Sequence, residues 1–382
     1  MNKKAIVSAT LCVALMLTIL CPFKTYALGA ESITAPSAVL IETSTGKVLF
    51  EKNPHEKRAC ASVTKVMTLL LVFEALDSGK INLDDTVTAS EHAASMGGSD
   101  IWLENGETMS VDDMIKATVV ASANDAAVAL AEYVSGSEDA FIEQMNKRAK
   151  ELKMNDTTFK NCNGLDEDGH ITSAYDVALM SCELVKHQKI FDYTSIWIDN
   201  LRGGKTQIVN TNKLLKTYNG ITGLKTGTTN EAGCCMSASA TRGNVSLISV
   251  VLGCKTGKER FADAAALLDY GFANISVKEL SLPEDMPKTL DVNGGMQKTV
   301  PIKCDVSSSI ILDKSSSAEI KTKLELPENI DAPVTEGQKV GTLSFLVNDK
   351  VVKQCDVKIM ESVEKTTFGS VLSVLFNSIT AL

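Results

Sequence analysis

Apolar and polar positions change their period along this chain, and the changes mark its parts. "SAVLIETSTGKVLFEKN", from Ser37, has two apolar runs either side of Ser44-Thr45-Gly46, which predicts a β-hairpin. The apolar run beginning at Ser62 predicts a helix ending near "DSGK". "VDDMIKATVVASANDAAVALAEYV" and "DAFIEQMNKRAKELKM" follow with helical spacing and Asp or Ser near their starts, and "SAYDVALMSCELVKH" predicts another helix. The pattern then shifts to the glycine-punctuated β-rich runs "NGITGLKTG", "GCCMSASATRG" and "VSLISVVLGC", before "KERFADAAALLDYGF" returns to helix. Two strands, a helical block, three strands and a helix predict one α/β unit ending near Phe272.

From about residue 276 the runs "TVPIKCDV", "EIKTKLEL", "KVGTLSFLV" and "KVVKQCDVKIM" alternate apolar with polar, and "NDK" suits a hairpin turn. Residues 276–361 therefore predict a small antiparallel β domain. The tail, 364–382, places Phe368, Val371, Leu372, Leu375, Ile379 and Leu382 along one helical face, with Ser370, Ser373, Asn377 and Ser378 largely opposite. It is too short and polar to span a bilayer comfortably, so the functional expectation is a helix lying in a membrane surface. A terminal helix docked on its own domain is the alternative, favoured by the near absence of Lys and Arg on the polar face.

The first residues follow a different logic. Lys3 and Lys4 precede the apolar run "AIVSATLCVALMLTILCPF", and small residues near Ala27 offer a cleavage site, so residues 1–27 read as a secretory signal peptide. The predicted protein is exported, and its folded part begins at residue 28.

Bulk properties narrow the function. The length of 382 residues suits two to three domains, and 44% hydrophobic with 22% charged residues is ordinary for a globular protein. A net charge of −9 with no basic block argues against a nucleic-acid partner, whose phosphates demand a Lys/Arg stripe. Of 10 cysteines, Cys12 and Cys21 fall in the leader. The others form no Cys-x-x-Cys pair, and His55, His92, His170 and His187 are scattered, so no metal is expected. An even number of exported cysteines permits disulfides, with Cys304 and Cys355 one candidate pair.

Candidate chemistry starts with an anomaly: Lys65 interrupts the apolar helix three residues after Ser62. At that spacing both side chains share one face of the first turn, where helix N–H groups favour an anion. A lysine in apolar surroundings loses proton affinity, and a neutral amine beside a hydroxyl is a general base for it. Ser-x-x-Lys recurs at Ser44–Lys47 and Ser362–Lys365, on a turn and a polar segment, so the tetrapeptide alone is weak. Two further elements add weight. Ser122-Ala123-Asn124 precedes a helix pattern, where an ordinary N-cap is the plain reading. Lys225-Thr226-Gly227 lies on a likely strand, where Gly227 lets a substrate backbone approach. Lys225 would also depress Lys65 and pair with a substrate carboxylate. A second Lys-Thr-Gly, Lys255 to Gly257, follows a strand and leads into a helix, where a polar turn is expected anyway.

In this order, Ser-x-x-Lys, Ser-x-Asn and Lys-Thr-Gly form the set of class A β-lactamases and penicillin-binding proteins. "GHITSAYDVALM", "NTNKLL", "GLKTGTTNEAG" and "LISVVLG" extend the match, and the chain resembles the serine-type D-alanyl-D-alanine carboxypeptidases among low-molecular-mass penicillin-binding proteins. The resemblance covers residues 35–273. It implies an α/β peptidase domain over 28–273, with helices on both faces of an antiparallel sheet plus a helical subdomain, followed by the all-β domain and amphipathic tail. It also implies that Ser62 is the nucleophile, Lys65 its base and Ser122 a proton relay toward the leaving D-Ala. Asn124 would hold the substrate amide and the Lys65 amine, and Lys225 and Thr226 the terminal carboxylate. The oxyanion hole would be the N–H groups of Ser62 and Thr228.

The implied partners are peptidoglycan stem peptides ending in D-Ala-D-Ala, β-lactams as inhibitors, and a membrane surface outside the cytoplasm; no cofactor is implied. Thr228 stands where relatives often carry an aromatic residue or histidine, and Ala123 where glycine is common. Cys60, two residues before Ser62, reads as a small buried residue rather than a redox switch. A β-lactamase is the nearest rival, but Glu-x-x-Leu-Asn is missing between the second and third motifs, and Glu143 to Asn146 lies in a helix pattern. A binding protein that has lost catalysis is disfavoured because every catalytic position is filled.

Overall fold

The structure is a computed structural model that describes residues 28–306, 309–314 and 319–373. The leader, 1–27, and the tail beyond Ser373 lie outside the described residues. The chain divides into two compact units, Met1–Ser276 and Val277–Leu382.

The first unit is built on a five-stranded antiparallel sheet. Its strands are β1 (Ser37–Glu42), β2 (Val48–Lys52), β3 (Ile221–Thr229), β4 (Gly233–Arg242) and β5 (Val245–Cys254), in spatial order β2-β1-β5-β4-β3. The glycine-punctuated runs thus become the consecutive hairpins β3-β4-β5, and the N-terminal hairpin adds to the far side through β1. Strand β3 is left at an edge.

Period-2 alternation splits the sheet between two faces. Ile248, Val250 and Leu252 of β5 join the large core beneath the helical block. Leu247 points the other way, toward the C-terminal helix α6 (Gly257–Asn274). A Cβ on Gly271 of that helix would lie 2.6 Å from Leu247, so glycine sets how closely helix and sheet approach.

The helical block contains α1 (Lys65–Asp77), α2 (Val111–Lys116), α3 (Asn124–Ser135), α4 (Glu138–Glu151) and α5 (Ala174–Leu184). Helix α1 is buried on nearly every side from Lys65 to Phe73, as expected for a helix apolar all round, and it packs against α3 and α5. Ser137 and Ser173 cap α4 and α5 by accepting the Ala140 and Asp176 N–H groups.

Two sequence expectations need correction here. Helix α1 begins at Lys65, and Ser62 sits in the preceding 3-10 turn, Ala61–Thr64. The run from Val111 to Val134 is not one helix. After α2 it widens into a π-type turn over Ala117–Ala121, and Ser122 then adopts the left-handed conformation (φ 61°, ψ 28°) before α3 starts at Asn124. Helical hydrogen bonding does not continue through a left-handed residue, and apolar periodicity alone hides the break.

The second unit contains a six-stranded sheet. Its strands are β6 (Thr289–Asn293), β7 (Thr299–Cys304), β8 (Ile320–Glu325), β9 (Asn329–Asp331), β10 (Lys339–Val347) and β11 (Lys350–Ile359), in order β8-β10-β11-β7-β6-β9. Val300, Leu343, Phe345, Val357 and Ile359 fill its core. The β10–β11 turn places Asn348 and Asp349 at φ 50° and 59°, the paired left-handed residues that a tight hairpin requires. Cys304 and Cys355 are both free thiols buried in this core. Phe368, Val371 and Leu372 are exposed at the start of the tail, and among the described residues no helix is long and apolar enough to cross a membrane.

Candidate active site

The 3-10 turn before α1 presents Ser62 to the rim of the helical block, and Lys65 reaches back beneath it. Lys65 Nζ lies 3.0 Å from Ser62 Oγ and donates to Asn124 Oδ1 at 2.5 Å and to the Asn163 carbonyl at 2.7 Å. The side chain is fully buried. Burial drives its pKa down to about 7, against the smaller upward pull of Cys162, Asp100 and Asp125.

Ser122 and Asn124 arrive through the break between α2 and α3. The left-handed Ser122 turns its hydroxyl toward the sheet edge, where Lys225 Nζ donates to it at 2.7 Å. It caps no helix; the N-cap of α3 is Ala123. Asn124 is held on three sides. Its amide Nδ2 donates to Gly97 O and its backbone N–H to Ser99 O, both at 2.6 Å, while Oδ1 accepts from Lys65.

Strand β3 closes the site with Lys225, Thr226 and Gly227. Lys225 is buried and held well below the ordinary lysine range, first by burial and then by the charges of Lys65 and Arg260. The expectation that Lys225 depresses Lys65 is therefore reversed in emphasis: burial dominates at Lys65, and Lys225 feels its neighbour's charge. Thr226 Oγ1 shares a 2.6 Å hydrogen bond with Thr211. A Cβ on Gly227 would lie 2.8 Å from both Cys60 O and Ser62 N, so the glycine lets the edge strand press against the turn that carries Ser62.

Several contributors carry no signature in the sequence. Arg260 of α6 donates to Gly227 O and Thr228 Oγ1, both at 3.0 Å, bracing the end of β3. Gly164 (φ 87°) packs so closely on Ala61 that a Cβ there would sit 2.0 Å from the Ala61 carbonyl. His170 is buried; its Nδ1 accepts from Lys160 N–H, so Nε2 carries the proton and donates to Thr64 Oγ1 at 2.7 Å. Burial lowers its pKa to about 4, so it remains neutral and ties the segment carrying Asn163 to the turn carrying Ser62.

Other candidates fall away. Thr256 of the second Lys-Thr-Gly caps α6 in a reciprocal box with Glu259. Ser44 and Thr45 fold back onto Glu42 at the β1–β2 turn. Cys60 is buried, and burial raises its thiol to about 11, which suits a packing residue.

The chain also matches known proteins. The family described as D-alanyl-D-alanine carboxypeptidase matches residues 24–256, and the C-terminal domain of penicillin-binding protein 5 matches residues 280–365. The chain is 45% identical to the D-alanyl-D-alanine carboxypeptidase DacF of Bacillus subtilis, covering 87% of each chain. It is 37% identical to DacC of Escherichia coli, covering 89% of this chain and 86% of that one. Among solved structures, penicillin binding protein 5 from Haemophilus influenzae superposes with a TM-score of 0.76 at 31% identity, covering 89% of this chain and 100% of that chain. The ampicillin-bound penicillin-binding protein D2 of Listeria monocytogenes covers 64% of this chain and 100% of its own, with a TM-score of 0.59 at 33% identity. With the Ser62–Lys65 pair, the Ser122–Lys225 contact and these matches together, the chain belongs to the D-alanyl-D-alanine carboxypeptidase family.

Proposed function

We propose that this protein removes the terminal D-alanine from peptidoglycan stem peptides through an acyl-enzyme on Ser62. The observation that carries the reading is the placement of Lys65 Nζ, 3.0 Å from Ser62 Oγ and stripped of water. As a neutral amine Lys65 takes the Ser62 proton while Oγ attacks the carbonyl of the penultimate D-Ala. The backbone N–H groups of Ser62 and Thr228 receive the developing oxyanion. Ser122 passes a proton to the departing D-Ala amine. Lys225 and Thr226 hold the terminal carboxylate, with Arg260 adding positive charge behind the strand. Asn124 binds the substrate amide and fixes Lys65. Because β3 is an edge strand, an extended peptide can align along it, and Gly227 removes the side chain that would hold it away.

Water then releases the shortened peptide. β-Lactams enter by the same attack and stay longer as the acyl-enzyme. The substrate lies in the cell wall, so the signal-like residues 1–27 fit export, and the apolar face begun by Phe368, Val371 and Leu372 fits attachment to a membrane surface.

The deciding experiment measures D-alanine release from a soluble peptide ending in D-Ala-D-Ala, comparing the wild type with Ser62→Ala. Release that vanishes in the variant supports the reading. A folded wild type that releases none refutes it.

A further inference from the structure

Arg260 is a buried cation without an ion pair. Its side chain is 8% exposed, and among the described residues its hydrogen bonds go to neutral groups alone. Those bonds all leave from one nitrogen: Nη1 donates to Gly227 O and Thr228 Oγ1 at 3.0 Å and to Cys235 O at 3.4 Å. Nε is buried with no partner. Nη2, which also has none among the described residues, points toward the start of α6, 3.6 Å from where a Cβ on Gly257 would sit. The guanidinium lies over the Phe261 ring, 4.6 Å from its centre, which fixes the plane in that direction. A buried charge is expensive to keep unpaired, so half of this guanidinium is left for a partner the protein does not supply.

Arg260 and Gly257 line a cavity of about 440 Å³ together with Lys213, Leu214, Lys258 and Phe261. No acidic residue lines it. Lys213 and Lys258 are exposed, and neither is in an ion pair among the described residues. Helix α6 starts at this wall and runs 18 residues. Thr256 takes the Glu259 N–H, while the Gly257 and Lys258 N–H groups have no helical carbonyl within reach. The Glu259 carboxylate is occupied elsewhere, accepting from the Lys255 and Thr256 N–H groups. Three cations and a helix N-terminus therefore converge on one cavity that holds no negative group, which is the chemistry of an anion site.

We propose that this cavity binds a phosphate group, free or carried on a polyol phosphate chain, with Arg260 Nη2, Lys213, Lys258 and the first N–H groups of α6 as its donors. A tetrahedral oxyanion of more than one charge suits three cations spread around a cavity of this size better than a flat, singly charged carboxylate does. The site is separate from the grip of Lys225 and Thr226 on the terminal carboxylate, but it shares Arg260 with it. Its effect on catalysis rests on the peptidase reading above. A bound phosphate cancels the Arg260 charge that stands behind β3, so phosphate and peptide weaken each other's binding by the same factor. The Nη1 bonds to Gly227 and Thr228 are untouched, so the chemical step keeps its rate.

The test titrates the full chain by calorimetry with inorganic phosphate and, separately, with a short glycerol phosphate oligomer, at one ionic strength. Saturable binding is expected, at least about tenfold weaker in the double variant Lys213→Gln/Lys258→Gln. Gly257→Asp sets a carboxylate where the phosphate sits and abolishes binding; a Cβ there meets only Arg260 Nη2 at ordinary contact distance, so this variant folds. Binding of both ligands supports a site for the phosphate group itself, and binding of the oligomer alone supports a site for the chain. No saturable binding of either, or binding unchanged in both variants, overturns the proposal. On a soluble D-Ala-D-Ala peptide, saturating phosphate raises KM about fivefold or more and leaves kcat alone, and Gly257→Asp shows the raised KM with no phosphate present. A KM unmoved by bound phosphate overturns the coupling. A wild type that releases no D-alanine fails at the peptidase reading instead, and the calorimetry alone then decides the site.

Discussion

Lys225 donates a hydrogen bond to Ser122 Oγ at 2.7 Å, joining strand β3 to a residue 103 positions earlier. In that hydrogen bond the Ser122 hydroxyl accepts, and its own proton remains available to a third group. That is the state needed to protonate a leaving amine. Ser122→Ala removes the proposed relay and the hydrogen bond from Lys225. The expected result is a fall of about a hundredfold in kcat on a D-Ala-D-Ala peptide. Steady-state kinetics beside a thermal melt would check it, and wild-type kcat in a folded variant would remove Ser122 from proton transfer.

The acylation rate should report the protonation of Lys65. Burial places its pKa at about 7. Below that pH the amine is protonated and has no lone pair for Ser62, so acylation by penicillin falls as pH drops and levels off above it. Lys65→Ala should fold and fail to acylate at any pH in that range. Rate–pH profiles of penicillin labelling decide this. A flat profile through neutrality would require another base.

Glycine substitutions separate the geometry of the Ser62 turn from its chemistry. Gly227→Ala would place a Cβ 2.8 Å from Cys60 O and Ser62 N, so either β3 or the turn must retreat. With Ser62 N–H as a proposed oxyanion donor, its displacement predicts a loss of about a hundredfold to a thousandfold in acylation. Gly164→Ala is harsher, because it meets the Ala61 carbonyl at 2.0 Å and also holds a φ of 87°. It should cost at least about 1–3 kcal/mol from backbone strain alone. Thermal melts and penicillin labelling of both variants would show activity lost before stability at Gly227, and stability lost first at Gly164.

Much of this site was readable from residue order because each motif supplies side chains with distinct chemistry. The copies at Ser44, Ser362 and Lys255 could be set aside from their local context alone, as the cap made by Thr256 illustrates. What escaped was carried by backbone or by distance. The Asn163 carbonyl that binds Lys65 is a group every residue possesses, and Gly164 and Arg260 matter only once Ala61 and β3 are folded against them. The left-handed Ser122 was concealed inside an unbroken apolar period. Short strands such as Asn329–Asp331 show no period at all, because three residues cannot establish one.

The C-terminal tail supplies a prediction independent of catalysis. Phe368 is 86% exposed, and Val371 and Leu372 are exposed beside it on the same helical face. Leu375, Ile379 and Leu382 lie outside the described residues; their spacing in the sequence would extend the same apolar stripe if the helix continued. Such a stripe binds the boundary between headgroups and acyl chains through its buried apolar area, and few Lys or Arg residues are present to add attraction to anionic lipid. Membrane attachment should therefore resist salt, unlike binding through a basic patch. Deleting residues 364–382 should move the protein to the soluble fraction while leaving kcat on a soluble D-Ala-D-Ala peptide unchanged. Fractionation of the truncated protein with membranes would place the attachment elsewhere, and release of the full chain by high salt would make it electrostatic.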